Sequence, residues 1–194
     1  MRPTTADLFA PAETMPAGFD YRPDIIGRAE EAALVAAFAS LDFAPYEFRG
    51  VQARRRVVAF GYHNDYRTRR LELSPDIPAF LLSLRDEVAR FANCPAEDFE
   101  QALVSEYTPG TPIGWHLDRA HYNNIVGVSL LSPATLRLRR REGNRWQRSS
   151  QVLEPRSAYI LSGAARTLWQ HSIPAVSELR YSVTFRTMSR AGSS

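Results

Sequence analysis

One short run, Gly114-Trp115-His116-Leu117-Asp118, sets an imidazole and a carboxylate two residues apart. On an extended segment residues i and i+2 point to the same face, so His116 and Asp118 can grip one ion together. A second imidazole would complete the three-ligand face that suits non-haem Fe(II), leaving three neighbouring positions open for co-substrate and oxygen. Alone, His-x-Asp is a frequent chance match, equally well read as a surface His beside a turn Asp. The chain has 4 histidines, so the third ligand must come from His63, His121 or His171. His121 follows too closely, in the loop that has to turn after the first pair. His63 lies in an irregular N-terminal stretch. His171 ends an expected strand, Arg166 to His171, far enough along the chain to fold back, and it is preferred.

The run Arg180-Tyr181-Ser182-Val183-Thr184-Phe185-Arg186 alternates strictly, with Arg180, Ser182, Thr184 and Arg186 on one face. A half-buried strand with its polar face in water would read the same way. In a two-sheet β fold, however, that face turns inward, where two arginines are costly without anions to pair with. A dicarboxylate resolves the cost, one arginine taking its distal end and the other supporting the end that chelates the metal. Tyr107, on the strand before the metal motif, adds a phenol donor.

Ser105-Glu106-Tyr107-Thr108-Pro109-Gly110, then His116-Leu117-Asp118, then His171, then Arg180 to Arg186, is similar in order and spacing to the AlkB family of 2-oxoglutarate dioxygenases. The likeness spans residues 101–188. Phe60-Gly61-Tyr62, Asp65-Tyr66 and Ile77-Pro78 also look like members of this family. The resemblance implies Fe(II), 2-oxoglutarate and O2, with His116, Asp118 and His171 binding the iron. It also implies that Arg180, with Tyr107 and Ser182, holds the distal carboxylate. Arg186, with Ser105, then contacts the carboxylate beside the keto group. The chain departs from the family pattern at positions 105 and 182, which are often Asn.

The implied reaction oxidises 2-oxoglutarate to succinate and carbon dioxide while a C–H bond is hydroxylated. If that carbon sits on nitrogen, formaldehyde and the dealkylated amine follow. In the resembling family this removes alkyl groups from nucleobases, so DNA or RNA is the expected partner and DNA repair a possible role. A base must leave its stack to reach buried iron. Aromatic and basic residues at 46–73 would serve it: Tyr46, Phe48, Arg54, Arg55, Arg56, Tyr62, His63, Tyr66 and Arg67. Trp169 is a further candidate, weighed against a plain core tryptophan, and the Arg54–Arg56 run against an ordinary solvated surface. Some family members read the base with an acidic residue two positions after the metal-binding Asp; here Arg119-Ala120 follow. A protein or small-metabolite hydroxylase is therefore the competing reading, and a binding module without catalysis the third.

These side chains need a scaffold. With 194 residues, 44% hydrophobic, the chain suits one domain with a sizeable core. No run approaches the ~18 apolar residues of a membrane span, and the N-terminus lacks a signal pattern, so no membrane partner is expected. Cys94 stands alone, excluding an internal disulfide; a monomer in a reducing cytoplasm is the expectation. All 24 basic residues are arginine, for a net charge of +3, with clusters at Arg54–Arg56, at Arg67, Arg69 and Arg70, and from Arg137 to Arg148. Coding bias explains scattered arginines; clusters suit phosphate and stacked bases.

Residues 1–20 read as a loose arm. Leu34, Val35, Phe38 and Leu41 fall on one face of a helix from Arg28 to Leu41, and a second helix should start at Ser74-Pro75-Asp76. Between them, about 43–73 reads as an irregular lid with a strand at Val57 to Tyr62, so residues 21–95 are helical support plus lid. Short β runs follow at 101–107, 125–131, 134–140, 150–154, 157–161, 167–172 and 180–187, punctuated by turn residues. Residues 96–190 therefore read as the catalytic core of a mainly β, α+β protein: a jelly roll, or double-stranded β-helix, with N-terminal helices and a substrate-recognition lid.

Overall fold

The structure, a computed structural model, describes residues 15–48, 51–64 and 71–189. The expected run from 101 onward is present with small boundary shifts. It comprises β6 (Phe99–Tyr107), β7 (Ile113–His116), β8 (Tyr122–Leu130), β9 (Ala134–Glu142), β10 (Arg145–Leu153), β11 (Ala158–Leu161), β12 (Gln170–Ile173) and β13 (Arg180–Met188). The N-terminal part adds β1 (Phe19–Arg22), β2 (Ala44–Phe48), β3 (Val51–Phe60), β4 (Tyr62–Asn64) and β5 (Leu71–Leu73). The larger sheet runs β1-β11-β8-β13-β6-β3-β2, the smaller β10-β9-β12-β7, and β4 and β5 make a separate hairpin. Every pairing is antiparallel. The expected jelly roll is the observed fold.

The helices α1 (Arg28–Phe38) and α2 (Ala79–Ala92) cover the outer face of the larger sheet. Leu34 and Phe38 from α1, with Leu81, Leu84 and Val88 from α2, pack on Val104, Val128, Val183 and Phe185. Burying each such side chain stabilises by roughly 1.5–3 kcal/mol. Helix α2 starts three residues later than its expected Asp76 boundary. Pro78 is its N-cap, at φ −69° and ψ 154°, and a residue before proline is pushed out of the helical region, which excludes Ile77. It ends on Asn93 in the left-handed conformation, φ 52°, a common helix stop.

Three further differences set the structure apart from the sequence reading. Within the expected arm, Phe19 and Asp20 already pair with Leu161 and Ile160 as part of β1. In the expected irregular stretch, β3 is 10 residues long and joins the larger sheet beside β6. Strand pairing supplies what periodicity could not: β3 is held from Arg56 to Phe60 against β6 and along its other edge against β2. Finally, a short helix α3 (Gly163–Thr167) interrupts the expected strand, so His171 is the second residue of β12 and does not end it.

Candidate active site

The register of the sheets assembles the metal motif. His171 on β12 pairs directly with His116 on β7, and their ring centroids lie 4.2 Å apart. Asp118 lies two residues beyond His116, past the end of β7, with Oδ2 3.4 Å from Nε2 of His171. The ligand atoms of His116, Asp118 and His171 all lie within 4.8 Å of one another, a group that can hold one metal ion. Nδ1 of His116 faces the Gly114 carbonyl at 2.9 Å; such a bond fixes the ring and leaves Nε2 for the ion.

Electrostatics prepare these groups as ligands. Burial, then His116, pushes the His171 imidazolium down to about 3, so the ring is neutral at physiological pH. Burial alone would raise Asp118, but Arg186, His171 and His116 together bring it to about 2. Two imidazoles and a firm carboxylate are the donor set that suits Fe(II). His121 is not in the group; its ring packs on Tyr122 at 4.2 Å. His63 contributes its backbone to β4.

Two buried arginines of β13 extend the site from the metal group. Arg180 and Arg186 are only 1% and 9% exposed, as the alternation of β13 required. Nε of Arg180 donates to Ser129 Oγ at 3.1 Å, its guanidinium stands 4.8 Å over the Tyr107 ring, and its Nη1 is buried without a partner among the described residues. An unpartnered donor on a buried cation is strongly unfavourable unless an anion meets it. Tyr107 and Ser182 lie 3.4 Å apart, hydroxyl to hydroxyl, and Ser105 is opposite Ser182 across the β6–β13 ladder. Arg186 faces Asp118, Nη2 to Oδ1 3.5 Å.

Four residues have places in the site that the sequence reading did not assign to them. Arg55 is the first. Within Arg54–Arg56, β3 pairs Arg56 with Glu106 and Val57 with Ser105, so Arg55 shares the inward face with Ser105 and Tyr107. Its guanidinium stacks 4.1 Å over Tyr46 and reaches the Tyr107 phenol. Arg56 points the other way, 2.9 Å from Glu106, and Arg54 is exposed. The three do not share one face.

Tyr159 is the second. Its ring fills the space over Gly127, where an added Cβ would come within 2.4 Å of it. A glycine inside the apolar run Ile125 to Leu131 was the available signal for such a close approach. Gln101 is the third; it accepts from Arg186 Nη1 at 3.1 Å and donates to the Tyr62 carbonyl at 2.6 Å, tying the β4–β5 hairpin to the site. The fourth, Arg166, donates from Nη2 to the carbonyls of Arg119 and Tyr122, anchoring the loop after Asp118.

The remaining candidates divide. Tyr62 is half-buried at the base of the hairpin, while Tyr66, Arg67, Arg69 and Arg70 lie outside the described residues. Trp169 is 6% exposed and packs in the core between the sheets, with Arg140 5.4 Å over its ring. That is the position of a packing residue.

Fold and site together define an iron- and 2-oxoglutarate-dependent oxygenase, and the comparisons agree. The profile of the 2OG-Fe(II) oxygenase superfamily matches residues 31–186. The chain belongs to that superfamily and, within it, to the AlkB family. It is accordingly a dioxygenase whose reaction uses Fe(II), 2-oxoglutarate and O2.

It is 28% identical over 176 residues to the "Alkylated DNA repair protein ALKBH8 homolog" of Arabidopsis thaliana, covering 78% of this chain and 49% of that one. It is 27% identical over 169 residues to the mouse "tRNA (carboxymethyluridine(34)-5-O)-methyltransferase ALKBH8", covering 83% of this chain and 25% of that one. The chain thus spans about half the length of the first relative and a quarter of the second. In three dimensions it resembles OsALKBH1, with a TM-score of 0.68 at 17% identity over 90% of this chain and 98% of that one. A Pseudomonas putida prolyl-4-hydroxylase shares the fold with a TM-score of 0.63 at 12% identity, over 90% and 94% of the two chains. No helix among the described residues is long and apolar enough to cross a membrane.

Proposed function

We propose that the chain removes alkyl groups from nucleobases of DNA or RNA by oxidation, with His116, Asp118 and His171 holding Fe(II). The observation that carries the oxygenase part is the junction of two sites. Arg186, 3.5 Å from Asp118, joins a three-ligand metal group to Arg180 on the same inward face of β13, a buried cation with an unpartnered Nη1 among the described residues. Arg180, Tyr107 and Ser182 would take the distal carboxylate of 2-oxoglutarate, with Arg55 supporting the Tyr107 phenol. Arg186 and Ser105 would face the carboxylate nearer the metal. Bound iron supplies the coupling of 2-oxoglutarate decarboxylation to C–H hydroxylation. For an N-methyl group the balance is N–CH3, O2 and 2-oxoglutarate giving N–H, formaldehyde, succinate and CO2.

Nucleic acid as substrate is supported by the names of the relatives, one a repair protein for alkylated DNA and the other a tRNA enzyme. For a flipped base, Tyr46 and Tyr62 would offer stacking faces and Arg55 a cation. Ala120 offers no acid to read that base, which favours reading by these lid residues. A second reading, hydroxylation of a protein side chain or metabolite, keeps the same iron chemistry and finds its support in the same missing acid. The test is formaldehyde release from single-stranded DNA and RNA carrying 1-methyladenine, 3-methylcytosine or an etheno adduct (aldehyde release for the last). Formaldehyde from a methylated oligonucleotide, lost in His171→Ala, supports the first reading. Succinate formation without release from any oligonucleotide supports the second.

A further inference from the structure

The arginines from Arg137 to Arg148 take no part in the site described so far. Arg137, Arg139 and Arg141 lie on the outward face of β9, because Leu136 and Leu138, on the alternate positions, are fully buried. In register, Arg139 stands opposite Arg148, and Arg141 opposite Trp146, on β10. Trp115 immediately precedes His116 on β7 and turns outward as that ligand turns in. The guanidinium of Arg137 lies 5.3 Å over the Trp115 ring. Arg139 lies 4.2 Å over Trp115 and 4.4 Å over Trp146, and Arg141 5.5 Å over Trp146. A ladder of alternating Arg and Trp thus crosses the smaller sheet from its β7 edge to β10. The helices α1 and α2 pack on the other sheet.

Stacking alone would serve to seal an uncovered sheet face, and it accounts for the two indoles. It does not account for the charge. Like charges directly opposite one another destabilise a ladder, yet Arg139 and Arg148 are such a pair. Among the described residues none of Arg137, Arg139, Arg141 and Arg148 makes an ion pair. Arg137 donates to Ser172, Arg139 to Gln170 and Arg141 to the Gly143 carbonyl, while the nearby Glu142 faces Arg140. A guanidinium stacked on an indole keeps donors at its planar edge for an anion. Alternate residues along a strand repeat every ~6.7 Å, close to the ~6.8 Å that two nucleotides of a stacked strand occupy.

We propose that this ladder is a second nucleic-acid contact, which holds the phosphate backbone of the strand whose modified nucleotide enters the site. Trp115 joins it directly to the metal motif, so a strand lying on the ladder reaches the β7 edge beside His116. The inference rests on the nucleic-acid reading above, and the experiment separates the two. Anisotropy of labelled single-stranded RNA and DNA is followed across a salt series for the wild type and for the triple variant Arg137→Gln, Arg141→Gln, Arg148→Gln. Three lost phosphate contacts should reduce the log–log salt slope by about 2 and weaken low-salt binding tenfold or more. Succinate formation without substrate should be unchanged, since none of the three lies in the iron or co-substrate site.

In the wild type, bound oligonucleotide should protect Arg137, Arg141 and Arg148 from phenylglyoxal, a readout that does not depend on the variant folding. Binding with an unchanged slope, or without protection, overturns the ladder while the nucleic-acid reading stands. A wild type that binds neither oligonucleotide with salt dependence overturns both.

Discussion

Arg186 and Asp118 face each other across 3.5 Å, Nη2 to Oδ1, while the other Asp118 oxygen faces His171 at 3.4 Å. One arginine therefore serves two sites: it holds a metal-side carboxylate in place and presents charge where the co-substrate would chelate.

Arg186→Ala should accordingly weaken Co(II) or Fe(II) binding and raise the 2-oxoglutarate requirement together. Arg180 lies apart from the metal group, so Arg180→Ala should affect 2-oxoglutarate alone. Removing one partner of a buried charge pair costs roughly 2–5 kcal/mol, a rise in half-saturation of about thirtyfold or more. Metal titration of both variants, paired with succinate release against 2-oxoglutarate, tests the split. Equal metal affinities in Arg186→Ala and the wild type would contradict it.

The site's chemistry was legible where the chain writes it locally. His116 and Asp118 two apart, and the strict alternation of Arg180 to Arg186, needed only the period of an extended strand. What remained hidden depends on which strands are neighbours. Nothing in Arg54-Arg55-Arg56 says that the middle arginine alone faces Tyr107; the β3–β6 register decides that. Likewise Gln101 matters because it lies between the Tyr62 carbonyl and Arg186, two partners remote in sequence. The misplaced start of α2 has a local cause: Ser74-Pro75-Asp76 is a good capping signal, and Pro78 overrides it. The strand expected from Arg166 begins only at Gln170, because α3 takes the chain to Thr167 and helix and strand look alike over so few residues.

Tyr107 makes a pH prediction. Burial would raise its phenol, but Arg55 and then Arg180 lower it to about 8. Above that pH the co-substrate-free protein carries a phenolate where a dicarboxylate must bind. The dianion favours the neutral phenol, so 2-oxoglutarate half-saturation should climb above pH 8, by up to about tenfold per pH unit. Tyr107→Phe cannot ionise there and should show a flatter profile over the same range, from a weaker starting affinity. Parallel profiles for the two proteins would remove Tyr107 from the co-substrate site.

Gly127 and Tyr159 yield a packing prediction. The Tyr159 ring stacks on Phe19 with centroids 6.4 Å apart and lies so close to Gly127 that a Cβ there would sit 2.4 Å from it. Gly127→Ala must therefore displace Tyr159 toward the Arg180 and Arg186 side of the barrel or strain β8. Overpacking of this kind costs about 1–3 kcal/mol. Thermal unfolding should show the loss. The double variant Gly127→Ala, Tyr159→Phe should recover little of it, because the ring, more than its hydroxyl, makes the collision.

The last prediction separates the three arginines of β3. Of the three, Arg55 alone faces inward, stacked 4.1 Å over Tyr46 and reaching Tyr107. Its removal takes one cation from the co-substrate end and frees both tyrosines to move. Arg55→Ala should raise the 2-oxoglutarate requirement roughly tenfold, the effect of one charge-assisted contact worth about 1.5–3 kcal/mol discounted for partial exposure. It should also shift the pH profile set by Tyr107 upward, because the arginine is the largest influence lowering that phenol. Arg56→Ala loses its 2.9 Å pair with Glu106, half-exposed and worth up to about 1 kcal/mol, and should leave co-substrate use unchanged. Arg54→Ala should leave both stability and co-substrate use near wild type. Succinate release against 2-oxoglutarate at several pH values, with a melting curve for each variant, distinguishes the three. If Arg55→Ala behaves like Arg54→Ala in both assays, the inward placement of Arg55 carries no function.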